Sequence, residues 1–291
     1  MIHGYYLGCP AWGMSTWSGR LFPRGTKQPQ FLSLYSRVFN TVEGNTTFYA
    51  LPKADTVLKW RDDVPDDFRF CFKFPKAISH EAVLEDVGNL VDGFLHRLSP
   101  LDGKLGSLML QLPPRFGPKL LDRLAAFLRS LPPQHRYAVE LRHPAFFKGG
   151  QEQRDAAALL SELGVDTVTM DTRGLHASTN PDVAEVQAKK PNLPIDTRPT
   201  GAQPIVRFVP HDDFEAGKAF LEPWLAEIPR WLAAGRTPYF FMHAPDDTFA
   251  PENAYAFHAL LRERVGAVKD VGELPPWTGR LGAAARVDSA P

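Results

Sequence analysis

Residues 107–143 read SLMLQLPPRFGPKLLDRLAAFLRSLPPQHRYAVELRH and contain the repeating unit that predicts the fold. Two short and nearly continuous apolar runs, at 107–111 and 137–141, predict strands that are buried on both faces. Between these runs, apolar residues recur at helical spacing, namely Leu120, Leu121, Leu124, Phe127, Leu128 and Leu131. A strand, a helix and a second strand in this order form the building unit of a parallel sheet.

The same alternation extends over most of the chain. Apolar runs predict eight strands, at 5–8, 40–45, 69–73, 107–111, 137–141, 167–171, 205–208 and 239–243. Amphipathic segments separate most of them, and 191–204 is predicted to be a loop. This pattern predicts an α/β protein with a single (β/α)8 TIM-barrel-like domain. A doubly wound open sheet is the rival, but its G-x-G-x-x-G first turn does not occur in the sequence.

Length and composition agree with one globular domain. The chain has 291 residues, of which 44% are hydrophobic and 23% are charged. These values exclude collagen-like, coiled-coil and wholly disordered proteins. We expect the barrel to occupy 1–278 and the Gly/Ala-rich segment 279–291 to be a flexible tail.

Charge and cysteine content restrict the partners and the compartment. Lys and Arg number 33 and so do Asp and Glu, so an extended surface for a polyanion is not expected. A nucleic-acid partner is therefore not favoured, although Arg20, Arg24 and Lys27 form a local basic group. No apolar run has the length of a membrane span, and the N-terminus lacks the pattern of a signal peptide. With only Cys9 and Cys71, we expect a cytoplasmic protein without a membrane partner.

Polar residues cluster where the predicted strands end, and this is the face that carries the active site of a barrel. The candidates in chain order are Trp12, Glu43, Asn45, Tyr49, Lys73, Gln111, Glu140, Arg142, His143, Asp171, Arg207 and His243. Glu140 and Arg142 are two residues apart and so share one face of a strand. Since a charge buried against the helix layer would cost several kcal/mol, we expect these side chains to point into the barrel mouth.

Three carboxylates in this set suggest acid/base catalysis. Glu140 and Glu43 are the expected acid and base, with Asp171 as an orienting group. The expected reaction is metal-independent hydrolysis of a small polar substrate, anionic or sugar-like. The alternative is a structural network in which these carboxylates neutralise nearby cations.

The three cations of the set, Lys73, Arg142 and Arg207, could bind a phosphate or carboxylate group of the substrate. The alternative role is again charge compensation. The remaining candidates are expected to contact substrate through amide, imidazole or aromatic groups, and they are Asn45, Gln111, His143, His243, Trp12 and Tyr49.

Metal binding is a further alternative. Glu140, His143, Asp171 and His243 have the side chains of metal ligands. However, the chain has no H-E-x-x-H or C-x-x-C pattern, and the nearby cations would repel a divalent ion. We therefore expect no metal and no cofactor. A metal-assisted hydrolase or isomerase and a non-catalytic module for nucleic acid or protein remain alternatives.

Several motifs resemble one known family. They are GCPAWG at 8–13, W-x-G-x-x-F-P at 17–23, FNTVEGNTTFYALP at 39–52, F-x-F-x-F-K at 68–73, QLPP-x-F at 111–116 and AVELRH at 138–143. Over about 4–266 the chain resembles the DUF72 family, also called YecE-like proteins. The resemblance implies a TIM-barrel-like fold, which agrees with the strand count, and it implies no particular activity.

Overall fold

A computed structural model describes residues 1–266 and 269–277. It contains eight strands, and each lies within one residue of a predicted strand at both ends. They are β1 (Tyr6–Gly8), β2 (Thr41–Gly44), β3 (Arg69–Phe72), β4 (Leu108–Gln111), β5 (Tyr137–Glu140), β6 (Asp166–Asp171), β7 (Ile205–Phe208) and β8 (Tyr239–Met242). The eight-strand prediction is confirmed.

Helices connect the strands. The α-helices of the described residues are α1 (Phe31–Tyr35), α2 (Thr46–Tyr49), α3 (Ala54–Asp62), α4 (Gly88–Leu98), α5 (Leu121–Ser130), α6 (Gln151–Glu162), α7 (Arg173–Ala177), α8 (Ala184–Lys189), α9 (Glu222–Ala233) and α10 (Ala250–Val265). Short 3₁₀ segments occupy Ser15–Trp17, Gln28–Gln30, Ser99–Lys104, Pro118–Leu120, Pro144–Phe147, Pro181–Val183 and Lys218–Leu221, and a π turn occupies Ala77–Glu81. None of the described helices is long and apolar enough to span a membrane.

The strands are parallel and form a closed ring. Six of them pair in the order β1-β8-β7-β6-β5-β4, and β2 pairs with β3. Backbone hydrogen bonds join these two groups on both sides, from Glu43 N to Cys9 O at 3.1 Å and from Phe74 N to Met109 O at 3.0 Å. The sheet is therefore a TIM-barrel-like ring, and the open-sheet alternative is wrong.

The interior of the barrel is layered. An apolar layer fills its centre, formed by Cys71, Met109, Ala138, Val168, Ile205, Tyr239 and Phe241. Since side chains alternate between the two faces of a strand, the residues two positions later also point inward. Five of these are polar and buried, namely Lys73, Gln111, Glu140, Arg207 and His243. The strand ends thus place a charged layer directly above an apolar one.

Two expectations concern irregular segments. The predicted loop 191–204 is confirmed, because no helix or strand lies between the end of α8 at Lys189 and the start of β7 at Ile205. The expected tail, 279–291, lies outside the described residues, and the division into a 1–278 domain and a tail stays a prediction.

Candidate functional site

Arg207 joins the two glutamates of the charged layer. Its Nε and Nη2 donate to Glu43 Oε2 and Oε1 at 2.8 and 2.7 Å, and its Nη1 donates to Glu140 Oε2 at 2.6 Å. The side chain of Arg207 is 3% exposed, and those of Glu43 and Glu140 are 0% and 1% exposed. Bidentate contacts of this kind fix the orientation of all three side chains.

Lys73 and His243 complete the surroundings of Glu43. The Nζ atom of Lys73 lies 3.3 Å from Glu43 Oε1 and donates to Gln111 Oε1 at 3.0 Å. The Nε2 atom of His243 lies 3.2 Å from Glu43 Oε2, and its Nδ1 lies 3.5 Å from Asp247 Oδ1. Glu43 therefore contacts three basic side chains from three different strand ends.

Arg142 is the second guanidinium that binds Glu140, in addition to Arg207. Its Nε donates to Glu140 Oε1 at 2.5 Å, and its Nη2 lies 3.5 Å from Met170 Sδ. Both oxygens of Glu140 thus face a guanidinium group. The remaining Nη1 of Arg142 has no partner among the residues that the structure describes.

These contacts keep both glutamates ionised. Burial raises the pKa of the Glu43 carboxyl, but the charges of Arg207 and Lys73 outweigh burial and hold the pKa well below its usual range. Burial likewise opposes ionisation of Glu140, but Arg142 and Arg207 lower its pKa to about 2. Neither group carries a proton at neutral pH, so the geometry does not favour the expected role of Glu140 as a general acid.

Lys73 behaves differently. Burial lowers the pKa of its ammonium group and the charge of Arg207 lowers it further, while Glu43 opposes both, and the result is a pKa of about 8. Lys73 can therefore exchange a proton close to neutral pH, which is what a general acid or base requires.

A cavity of about 310 Å³ opens above the charged layer, and we call it the mouth cavity. It is lined by Pro10, Asn45, Phe48, Tyr49, Lys73, Gln111, Arg142, Met170, Lys189, Lys190, Arg207, His243 and Asp247. Glu43 and Glu140 do not line it, because they lie beneath the cations that they bind. The wall therefore carries five Lys or Arg side chains and one carboxylate, that of Asp247.

Neutral polar and aromatic groups form the rest of the wall. Asn45 donates from Nδ2 to Pro10 O at 2.9 Å, while its buried Oδ1 has no hydrogen-bond partner among the described residues. Tyr49 is 75% exposed and stands at the rim next to Phe48. Asn45, Tyr49 and Gln111 face the same space as the cations, and their expected substrate contacts stay predictions.

The expectation that Asp171 faces the barrel mouth is wrong. Met170 pairs in register with Arg207 and points inward, so the next residue points to the helix layer. There the Asp171 carboxylate accepts hydrogen bonds from Trp224 Nε1 at 2.7 Å and from Arg173 Nε and Nη2 at 2.9 and 2.7 Å. A charge is tolerated on that side because these donors satisfy it.

The position of Asp171 yields a prediction. Asp171→Asn should lower the free energy of unfolding by about 2 kcal/mol, since it weakens charge-assisted hydrogen bonds to Arg173 and Trp224. It should leave ligand affinity in the mouth cavity unchanged. Urea denaturation and a binding titration of the same preparation measure the two effects. If Asp171→Asn changed the ligand affinity but not the free energy of unfolding, Asp171 would belong to the functional site after all.

Two other candidates also lie elsewhere. His143 caps the 3₁₀ segment Pro144–Phe147, because its Nδ1 accepts a hydrogen bond from Ala145 N at 3.2 Å. Trp12 packs edge-on against Trp60, with ring centroids 5.2 Å apart. Their expected substrate contacts are not supported, since each side chain is used to hold a loop on the barrel rim.

The structure also shows how other reactive or charged groups of the described residues are placed. No group of three or more His, Cys, Asp or Glu side chains is arranged there to hold a metal ion. Cys9 is buried, and burial raises the pKa of its thiol well above its usual range, which does not suit a nucleophile. Arg20, the first member of the local basic group, is paired with Glu252.

Sequence reasoning missed three charged lining residues. Lys189 and Lys190 come from the end of α8, in the long connection between β6 and β7, and Asp247 comes from the turn after β8. Asp247 could have been predicted from its position close to a strand end, since it lies four residues after His243. The two lysines carried no such signal, because they are far from any strand end along the chain.

Comparisons with known proteins agree with this fold. A family model described as "Protein of unknown function DUF72" matches residues 6–278. The UPF0759 protein YecE of Escherichia coli (strain K12) is 40% identical over 272 residues, which cover 93% of this chain and 97% of that protein. The UPF0759 protein YunF of Bacillus subtilis (strain 168) is 28% identical over 117 residues, 38% of this chain and 40% of that protein.

Solved structures show the same architecture. A DUF72 family protein (TM1631) from Thermotoga maritima MSB8 superimposes with a TM-score of 0.69 at 21% identity, over 89% of this chain and 100% of that one. A second DUF72 family protein (EF0366), from Enterococcus faecalis V583, gives a TM-score of 0.63 at 18% identity, over 93% and 99%. At these identities the likeness concerns the fold alone.

Proposed function

Since this chain belongs to the DUF72 family, whose description names no activity, we propose its function from the geometry of its own mouth cavity. The cavity is an enzyme site for a small anionic molecule that also carries hydroxyl groups. One observation carries this proposal. Five cationic side chains line the cavity, whereas the glutamates that compensate three of them lie beneath the wall.

Lys190 and Arg142 are the groups best suited to hold the anionic part of the ligand. Lys190 is half-buried at the cavity wall and makes no ion pair with the described residues. Arg142 keeps its Nη1 free while Glu140 fixes its orientation. A preoriented guanidinium and an unpaired ammonium match a phosphate or carboxylate group. The free Oδ1 of Asn45 would accept a hydrogen bond from a ligand hydroxyl.

The proposed chemistry is acid/base catalysis, with hydrolysis as the expected class. Lys73 is the proton carrier, because its pKa of about 8 lets both protonation states exist near neutral pH. Glu43 and Glu140 act as positioning residues that hold Lys73, Arg142 and Arg207 in place. We further propose that the protein works in the cytoplasm, in keeping with its two buried free thiols.

Calorimetric titration tests the site. Glucose 6-phosphate and inorganic phosphate should bind, and glucose should bind at least about tenfold more weakly than its phosphate. Lys190→Gln should weaken phosphate binding about tenfold, while Lys148→Gln, at an exposed lysine outside the mouth cavity, should leave it unchanged. Equal affinity for glucose and its phosphate, or no effect of Lys190→Gln, would refute an anion site here.

The pKa of Lys73 predicts a pH dependence. The Lys73 ammonium is charged below pH 8 and neutral above it, so anion affinity should fall about tenfold between pH 7 and pH 9. Sulfate is the suitable probe, since its own charge is constant over this range. The fall should persist in Lys190→Gln and be smaller in Lys73→Met, where Lys190, whose pKa is also lowered by burial, still titrates. A pH-independent affinity in the unmodified protein would contradict the assignment.

A further inference from the structure

A second cavity of about 410 Å³ lies beside the mouth cavity, and we call it the side cavity. The turn after β8 separates the two, because Ala244 and Asp246 face the side cavity while His243 and Asp247 face the mouth cavity. Its volume lies within the range of pockets that bind small molecules, about 300–1,000 Å³.

Apolar and aromatic side chains form much of its wall. They include Val183, Val186, Phe214, Pro245, Phe249 and Ala256. The ring of Phe249 is 44% exposed and already contacts a cation, since the Arg20 guanidinium lies 4.2 Å from its centroid. Aromatic faces of this kind attract organic cations.

Carboxylates surround this apolar wall. Asp182 and Asp246 are exposed at the cavity and make no ion pair with a Lys or Arg of the described residues. Asp212 also lines it, and its Oδ1 lies 3.1 Å from Nδ1 of His211. The electrostatic character of the side cavity is therefore opposite to that of the mouth cavity.

Two buried polar side chains of α10 line the same space with unused hydrogen-bonding capacity. Glu252 is 4% exposed and forms an ion pair with Arg20 through Oε1, while its Oε2 has no hydrogen-bond partner among the described residues. Asn253 is 9% exposed, and its side-chain amide has no hydrogen-bond partner in the part of the chain that the structure describes. Buried polar groups are normally paired, so unpaired acceptors beside a cavity indicate a donor that comes from a ligand.

We propose that the side cavity binds a small organic cation, an ammonium group carried on an apolar body. The ammonium would be held by Asp182 and Asp246 at the rim and, within the cavity, by Glu252 Oε2 and the side-chain carbonyl of Asn253. The apolar body would pack against Phe249 and the valines of the wall. This site is independent of the proposed enzyme function, because it uses none of the side chains that line the mouth cavity.

Phenethylammonium and 2-phenylethanol form a matched pair of probes, since they differ mainly in the charged group. Calorimetric titration of the full chain should give at least about tenfold tighter binding of phenethylammonium. Asp182→Asn and Asp246→Asn should each weaken it several-fold. In Asp246→Asn the amide oxygen can still accept from Thr248 N and the amide NH2 can donate to Thr248 Oγ1, so folding should be unaffected. Phe249→Leu should weaken it as well.

The control is Asp92→Asn, which removes an exposed carboxylate on α4 outside the side cavity and should leave the affinity unchanged. Equal binding of the two probes would overturn the proposal, because it would mean that only the apolar wall is recognised. The proposal would also be overturned if both aspartate variants bound phenethylammonium as tightly as the unmodified protein does. Neither result bears on anion binding in the mouth cavity, which sulfate and glucose 6-phosphate report separately.

Discussion

Replacing Arg207 with methionine is expected to lower the free energy of unfolding by about 3–5 kcal/mol at pH 7. The variant keeps the aliphatic volume of the side chain but leaves Glu43 and Glu140 buried without the guanidinium that holds them together. Lys73 and Arg142 still face the two carboxylates, but the hydrogen bonds from Arg207 are lost in a buried site, which is far more costly than the loss of an exposed ion pair. Urea denaturation, followed by circular dichroism, measures the effect.

Arg264→Met is the matched control. Arg264 also binds one carboxylate with two hydrogen bonds, to Glu222 Oε1 and Oε2 at 3.0 and 2.9 Å, but both side chains are about half exposed. Its loss should change stability by less than about 1 kcal/mol. A loss of similar size in the two variants would show that burial is not the reason for the effect of Arg207→Met.

Lowering the pH, or replacing the two glutamates as well, should reduce the loss of stability caused by Arg207→Met. In the unmodified protein the pKa of Glu140 is about 2, below its usual value of roughly 4.3, so its ion pairs stabilise the fold fully above pH 4.3. This contribution is lost as the pH falls from roughly 4.3 towards 2. Over the same pH range, the difference in free energy of unfolding between the unmodified protein and Arg207→Met should become smaller. Arg207→Met combined with Glu43→Gln and Glu140→Gln should recover part of the stability at pH 7, since no unpaired carboxylate remains.

Gly8→Ala should destabilise the protein by about 3 kcal/mol, because it adds a methyl group where β1 and β2 meet. A Cβ atom at position 8 would lie 2.1 Å from the carbonyl oxygen of Thr41 and 2.9 Å from Tyr35 Oη. The two groups are buried and bonded to each other, since the Tyr35 hydroxyl donates to Thr41 O at 2.9 Å. Neither group can move without opening this side of the barrel.

Gly93→Ala provides the contrast for this experiment. Gly93 is exposed in the middle of α4, and an added Cβ would meet nothing within 4 Å. The substitution should stabilise the protein by about 0.5–1 kcal/mol, since alanine loses less conformational freedom in a helix. Thermal denaturation should show that Gly8→Ala lowers the stability and that Gly93→Ala raises it. Tolerance of Gly8→Ala would mean that β1 and β2 are less tightly joined than these distances indicate.

Much of the architecture and part of the site follow from local sequence patterns. Runs of buried apolar residues predict every strand to within one residue, because a strand covered on both faces has to be apolar along its length. The inward position of Glu43, Lys73 and Arg207 follows from the alternation of strand side chains and from the high free energy of an unpaired charge against the helices. The presence of charged side chains in the barrel mouth thus follows from short stretches of the sequence.

The positions of Asp171, Lys189 and Lys190 do not follow from local sequence patterns, and there is a physical reason for each. Asp171 also ends a strand, but the cost of its outward position is offset by Arg173 nearby and by Trp224, a residue of α9 that is 53 positions away. Lys189 and Lys190 reach the mouth cavity only because the connection between β6 and β7 folds back over it. With Asp171 outside, Glu43 and Glu140 beneath the wall and two lysines inside, the lining changes from balanced to cationic.

The alternation of apolar runs and amphipathic helices was thus sufficient for the barrel and for the face that carries its polar residues, since both depend on neighbours along the chain. The balance of charge in the mouth cavity, the protonation of its groups and the existence of the side cavity were decided only by tertiary structure. They depend on distances between residues far apart in sequence, such as Arg207 and Glu43, which are separated by 164 positions. Over such separations an ion pair, and with it the pKa of each partner, is set by how the loops and strand ends pack together.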